Sequence, residues 1–430
     1  MYIMPLYLVV SSPNVILILW YTVVKCDSSF AVFGSKFRKL GPVAMFKEVW
    51  GSVDFFDSFV YIFVISYCTL QVILMKTLPG KKFTGPVTSR NNVPLYYDNG
   101  FKCYVVTMFI YTAISIFLYK FTKYRVTIFY DHFGNFLGIM TCVSLVLCLF
   151  LYWKGLKYPS SSDSGTTGNF LFDYYWGTEL YPRIFEIDVK VFTNCRFGMT
   201  MWSLLVVTFA LKNYELYGFV DSVWLSTALQ TIYFVKFFWW ESGYLSTIDI
   251  MMDRAGFYIC WGCLAYISGL YASLSLHLAT HRVILGWTLT SLIFAIGLTS
   301  IGVNYWADYQ KQEVRRTNGA CLIWGKKADV IRAYYELEDE NKTVKTSLLL
   351  VSGFWGISRH FHYLPELLLA LCWSVPAGFQ RAMPYSYLFF LTILLVHRTF
   401  RDDTKCRKKY KVYWEQYCNK VPYKMIPGIF

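Results

Sequence analysis

Ten stretches of this 430-residue chain are apolar almost without interruption, near residues 5–24, 59–75, 103–119, 136–153, 199–211, 223–240, 257–278, 283–303, 348–373 and 385–396. A run of about 20 apolar residues matches a hydrocarbon layer about 30 Å thick, where every backbone N–H and C=O must be satisfied within the protein itself. Only helices and closed barrels meet that condition. The runs are continuously apolar where a barrel strand would alternate, so the chain reads as all-α, a polytopic integral membrane protein of about 9–10 transmembrane helices. Composition agrees: 56% of residues are hydrophobic and 16% charged, against about 25% charged in soluble domains.

A formal net charge of +14 does not mark a nucleic-acid partner here, because the Lys and Arg residues lie between and after the apolar runs. Basic loops identify the cytosolic side of a membrane. Between residues 398 and 424, nine Lys/Arg stand against Asp402, Asp403 and Glu415, which predicts a cytosolic C-terminus. The loop carrying Lys311, Arg315, Arg316, Lys326 and Lys327 falls on the same side if an even number of crossings separates the two. The first span reads as an uncleaved signal anchor. Residues 1–155 are expected to serve packing and anchoring, and residues 156–430 to form the functional domain, with 398–430 as its basic tail. Residues 159–168, rich in Ser and Gly, predict a flexible surface loop.

Twelve cysteines show no disulfide framework, and the CWGC of Cys260 and Cys263 sits inside an apolar run, which argues for packing and against a metal or redox role. No metal site is expected. The sequon Asn341-Lys342-Thr343 falls in a loop assigned to the cytosol and is expected to be unused.

Three polar interruptions carry the candidate chemistry. The stretch LLLVSGFWGISRHFHYLPE (348–366) puts Trp355, Ser358, Arg359, His360, His362, Tyr363 and Glu366 within about three helical turns. At membrane depth such groups must be paired or face a cavity; the alternative is a helix end with snorkelling Arg and His. In FFWWESGYLSTIDIMMDRAGFYICWG (237–262), a single helix would place Glu241 with Tyr244, and Asp249 with Asp253, on shared faces. Neighbouring carboxylates in a low dielectric raise each other's pKa, which keeps an acid protonated at neutral pH. A polar turn with an Asp cap is the structural alternative. Lys311 and Arg315 are i,i+4 at a helix end stopped by Gly319, and read either as a phosphate clamp or as a solvated basic face. No GxGxxG follows a strand, so there is no soluble Rossmann domain, and a dinucleotide would have to be held by the membrane domain itself.

The strings SGFWGISRHFHYLPE, RRTNGACLIWG and HRTFRDDTKCRKKYKVYWEQYCNKVPYKMIPGIF resemble the C-terminal half of the eukaryotic sterol reductase family, in particular its Δ7 branch. The similarity runs from about Thr167 to Phe430. GNFLFDYYWGTELYPR resembles the family element GNFxxxxxxGxExxPR, and Glu241 to Asp253 resembles ExxYLxTxDIxxD. This likeness implies a multi-pass endoplasmic-reticulum enzyme that uses NADPH to reduce a ring double bond of a sterol entering from the bilayer, the C7–C8 bond of a 5,7-diene for the Δ7 branch. It implies cofactor contacts at Lys311, Arg315, Leu350, Trp355, His362, Tyr363, Asp402, Cys406, Arg407, Lys408, Lys409, Tyr410 and Tyr417. It also moves Glu241, Tyr244, Asp249 and Asp253 from a polar turn toward a catalytic acid. His362 stands where several relatives have Asn, and Leu364-Pro365-Glu366 where many have Gly-Asp. An isolated alkene has no carbonyl to polarise, so hydride addition requires prior protonation by an acid. Δ14 reduction is the same-class alternative, and a sterol-binding scaffold such as an epoxide-hydrolase subunit the different-class one. Expected partners are the sterol from the bilayer, membrane lipids and, as a homo- or hetero-oligomer, a second copy of the chain or other sterol-biosynthesis proteins, with no nucleic acid.

Overall fold

The computed structural model describes residues 3–337 and 342–430; Asn341 of the sequon lies outside them. Among the described residues the chain is helical apart from four two-stranded antiparallel hairpins. Seven helices among the described residues are long and apolar enough to cross a membrane, so this is a multi-pass helical membrane protein. The chain divides into two compact units.

The first unit comprises Met1–Thr88, Asn92–Ile284 and Ala377–Ser386. Its helices are α1 (Ile3–Lys25), α2 (Phe30–Gly51), α3 (Ser58–Thr77), α4 (Gly100–Phe121), α5 (Phe133–Lys157), α6 (Phe170–Trp176), α7 (Val189–Tyr217), α8 (Asp221–Trp239), α9 (Glu241–Tyr244), α10 (Ile248–Met251) and α11 (Phe257–Leu278). Two hairpins join them: β1 (Lys81–Thr84) pairs with β2 (Leu95–Asp98), and β3 (Arg183–Ile184) with β4 (Ile187–Asp188). Helices α7 and α11 form the centre, with 83% of each apolar window buried against 17% for α4, whose apolar side chains face outward. They pack on each other through π-wound segments, Phe192–Met199 and Phe257–Tyr271, a winding that concentrates at functional positions. Trp202, Trp261, Phe197 and Phe234 fill this centre.

Side-chain caps start the helices where the sequence supplies them: Asn169 accepts the Phe172 N–H at 3.0 Å, and Asp188 accepts that of Val191 at 3.0 Å. Residues 159–168 are strapped, in contrast to the expected flexible loop. Buried Asp173 accepts Thr167 N–H at 3.0 Å and Thr167 Oγ1 at 2.8 Å, and Arg254 Nη1 donates to Gly165 O at 2.6 Å. The partners that fix the loop lie outside it in sequence. Gly177, with φ of +97°, passes so close to the Ala255–Gly256 backbone that a Cβ would meet Ala255 C at 2.6 Å. The Ala255 N–H bonds to Glu179 O at 2.9 Å alongside. The Gly-x-Glu of the long aromatic element thus clamps the segment that enters α11. Ala377–Ser386 returns to this unit through Arg381, whose Nη2 lies 2.6 Å from Asp27 Oδ2, while His281 Nε2 lies 3.0 Å from Asp27 Oδ1.

The second unit comprises Ser89–Asn91, Leu285–Pro376 and Tyr387–Phe430. It contains α12 (Trp287–Arg316), hairpins β5 (Leu322–Ile323) with β6 (Lys326–Lys327) and β7 (Val330–Glu336) with β8 (Val344–Leu350), then α13 (Phe354–Ile357), α14 (Tyr363–Ser374), α15 (Ser386–Tyr410) and α16 (Val412–Lys420). The apolar run 348–373 is not one span. Leu348–Leu350 close the β7–β8 ladder, Gly353 turns with φ of +63°, and Ser358 is extended before α14 begins. A Cβ at Gly353 would run into Gln310, whose Oε1 instead accepts the Phe354 N–H at 3.0 Å. Nine or ten spans were expected. The shortfall lies in α14, which has 12 residues, in the charged second half of α15, and in α8, which carries Asp221, Gln230 and Lys236.

Candidate functional site

In the first unit the chain turns between Tyr244 and Ile248, so Glu241, Tyr244, Asp249 and Asp253 do not share the faces of one helix. Glu241 is buried and bound in two-pronged fashion to Arg196 of α7: Nη1 meets Oε1, and Nη2 lies 3.0 Å from Oε2. Gly100 N–H donates to Oε2 at 3.1 Å, Arg196 Nη2 also reaches Asn99 Oδ1 at 3.0 Å, and Tyr67 Oη donates to Arg196 O at 2.6 Å. Both Glu241 oxygens are therefore acceptors in charge-assisted bonds. This pair fastens the starts of α4 and α9 to α7.

Tyr244 differs. Its Oη is buried without a hydrogen-bond partner, its ring packs 5.7 Å from Phe237, and burial holds the phenol well above the ordinary tyrosine range. Asp249 and Asp188 contribute to the field around it. Asp253 is wholly buried, and Asp188 leaves Oδ2 buried and unbonded while Oδ1 caps α7. Sequence reasoning passed over two residues here, Lys190 and Arg196, although VKVFTNCRFGM is a polar interruption at the head of an apolar helix and so carried the signal of a buried charge. Cys260 and Cys263 are free thiols, and no group fit to hold a metal ion occurs among the described residues.

The second unit collects most of the residues expected to hold a cofactor. Lys311 and Arg315 lie on the last turns of α12, and Lys311 Nζ sits 4.1 Å from the Trp355 ring centroid. Trp355 donates its Nε1–H to Ala307 O at 2.7 Å, and Tyr417 Oη reaches Trp355 O at 3.4 Å. The His362 ring lies 4.9 Å from that of Trp355 and 4.2 Å from that of Tyr363. His360 stacks on Tyr363 at 5.2 Å, with Nε2 3.7 Å from Asp402 Oδ2. Burial pushes His360 down to about 4, so it is neutral at physiological pH. Leu350 packs with Val314, Ile323, Ala328 and Trp355. Cys406 lies beside Asp402, its Sγ 3.8 Å from Oδ2.

Further along α15, Lys409 Nζ lies 4.0 Å from the Tyr335 ring centroid, and Tyr410 Oη reaches Ser347 Oγ at 3.3 Å. Arg407 and Lys408 are exposed. Burial, with the like charges of Lys405 and Arg315, holds Lys409 down to about 8. The charges of Lys405 and Arg315 oppose that of Lys409, and an anion bound among them would relieve the repulsion. The donor set therefore fits a phosphate-bearing ligand. The backbone of the chain's end closes this region: Arg359 N–H bonds Tyr423 O at 3.0 Å, and His360 N–H bonds Lys424 O at 2.8 Å. Gln310 and Tyr335 were absent from the expected set, since nothing local in sequence ties them to it; His360 stands in the polar cluster of residues 348–366 but was not among the expected cofactor contacts.

The architecture and its buried polar centres define the class: an all-helical, multi-pass membrane protein with ionisable groups assembled inside its helical units. The family model described as Ergosterol biosynthesis ERG4/ERG24 family matches residues 4–430. The chain is 45% identical over 420 residues to a 7-dehydrocholesterol reductase of Arabidopsis thaliana, covering 97% of this chain and 95% of that protein. It is 36% identical over 392 residues to a 7-dehydrocholesterol reductase of Xenopus laevis, covering 89% and 81%. A Delta(14)-sterol reductase of Methylotuvimicrobium alcaliphilum is 36% identical over 306 residues, covering 71% and 68%. This chain belongs to the ERG4/ERG24 sterol reductase family and is an oxidoreductase of sterol biosynthesis.

Proposed function

We propose that this enzyme reduces the C7–C8 double bond of 5,7-diene sterols with NADPH, in the endoplasmic-reticulum membrane and with its C-terminus in the cytosol. One observation carries the choice of bond: 45% identity across 97% of the chain to a protein named for 7-dehydrocholesterol, against 36% across 71% for one named for the Δ14 bond. Lys311, Arg315 and Lys409 offer cations to phosphate, Asp402 a carboxylate to a ribose hydroxyl, and Trp355, Tyr363, Tyr410 and Tyr417 aromatic faces. NADPH, when bound, supplies the hydride for C7. The chain supplies the proton. Delivered to C8, it leaves an allylic cation shared between C7 and C5, and carboxylates or aromatic rings nearby stabilise that charge.

The proton donor is assigned to the group of Tyr244, Asp249 and Asp253. Glu241, engaged by Arg196, holds the scaffold and is not the donor. The assay is the sterol profile of membranes expressing the chain, supplied with 5,7-diene or Δ14 sterols and with NADPH or NADH. Loss of the 7-ene only with NADPH is expected; turnover of Δ14 sterols alone sinks the reading.

The cationic set yields a further expected result. Charge reversal at Lys311 together with Lys409 raises the KM for NADPH at least tenfold with a smaller effect on NADH, each charge-assisted bond contributing roughly 1.5–3 kcal/mol. Because Lys409 holds its proton only up to about 8, the KM for NADPH climbs as pH rises through that value, and Lys409→Arg flattens the climb. Equal use of both nicotinamides by the parent enzyme contradicts this assignment.

A further inference from the structure

Lys190 lies in the first turn of α7 and is 0% exposed. Its ammonium gives all three N–H donors to main-chain carbonyls: Asp249 O at 3.2 Å, Ile250 O at 2.6 Å and Asp253 O at 2.9 Å. The Tyr181 ring centroid lies 4.9 Å from Nζ. An ammonium taken out of water is strongly disfavoured unless every donor is bonded, and the last carbonyls of a helix have no partners of their own. Each need meets the other here. The carbonyls of 249, 250 and 253 converge on one point only where the chain curls at the end of α10, so the cation and the curl fix each other. Fastening by main-chain oxygens is indifferent to which side chains the curl carries, and it carries two carboxyls of the proton-donor group.

We propose that Lys190 is a positioning residue for the reduction: its ammonium sets the path of residues 249–253 and thereby the placement of the Asp249 and Asp253 carboxyls. The inference rests on the reading of those carboxyls as part of the proton donor. It acts on turnover and leaves binding of sterol and NADPH alone, because a misplaced donor matters only when the proton moves.

The test uses the full chain purified in detergent, as Lys190→Met, Lys190→Arg, Asp249→Asn and Asp253→Asn. Steady-state kinetics are measured together with hydrogen exchange of the backbone amides. For Lys190→Met the expected outcome is a kcat ~10–10²-fold lower with both KM values within about threefold, as displacement of a catalytic group on the order of 1 Å produces. Exchange accelerates in residues 245–256 and not in α7 or α11. A Lys190→Met enzyme with parental kcat overturns the proposal, as does a loss of protection spread evenly through the first unit. If Lys190→Met does not assemble, Lys190→Arg decides. Its planar fork cannot address three carbonyls around one point, so a kcat at least ~5-fold lower at unchanged KM supports the role, and parental kcat overturns it. Loss of turnover in either Asp variant with none in the Lys190 variants refutes the positioning role alone. Parental turnover in both Asp variants refutes the donor reading beneath it.

Discussion

Tyr244→Phe turns over at least ~10²-fold more slowly than the parent enzyme, while the affinities for sterol and NADPH stay within about threefold. The expectation is clean because the hydroxyl supports nothing in the fold: Oη is buried and makes no hydrogen bond, so its removal breaks no contact and leaves the volume nearly unchanged. A buried hydroxyl without a partner is unfavourable, and its deletion should hold or raise the melting temperature. Burial also keeps the phenol protonated at every physiological pH, so the proton is present when substrate arrives. Asp253→Asn should match it in direction. Single-turnover rates set beside equilibrium binding separate the chemical step from affinity. Parental rates in Tyr244→Phe would leave the proton with Asp249 or Asp253, and parental rates in Asp249→Asn and Asp253→Asn as well would move the search for the acid to Glu366 and Tyr417.

Arg196→Met produces the largest expected loss of stability. It leaves Glu241, about 1% exposed, without its cationic partner, while the Gly100 N–H still donates to it. Removing one partner of a buried pair costs roughly 3–5 kcal/mol, and removing both is often close to neutral. Arg196→Met should therefore lower the melting temperature in detergent sharply, and Glu241→Gln less so. Arg196→Met combined with Glu241→Leu should recover most of the loss, giving a coupling energy well above the few tenths of a kcal/mol of independent sites. Additive losses would show that the pair is not the unit that matters. Specific activity per folded molecule should survive in Glu241→Gln, which separates a scaffold role from an acid role.

The membrane class was legible because long apolar runs admit so few folds, and α7 and α11 lie where the runs place them. Lys311 and Arg315 were legible as a pair since their geometry is local to one helix. The run 348–373 misled because apolarity alone does not distinguish a span from a strand followed by a short buried helix; Gly353 was the one local sign of the break. Glu241 was read with its sequence neighbours, whereas its partner Arg196 is 45 residues earlier. For Lys190 the polar interruption at the head of α7 signals a buried charge but not its partners: the acceptors are backbone carbonyls about 60 residues away, and carbonyls look the same in every sequence.

The bond between Arg381 and Asp27 sets a clock on assembly. Its partners are separated by 354 residues, and a ribosome adding roughly 5–20 residues per second takes on the order of 20–70 s to cross that distance. Within that interval Asp27 can meet His281 after 254 residues and Arg381 only after 354. The first unit therefore closes late, after residues 285–376 of the second unit have been made and before residues 387–430 have. Chaperone dependence and sensitivity to translation rate should concentrate in that window, and slowing synthesis between His281 and Arg381 should lower the yield of assembled enzyme more than slowing it after Arg381.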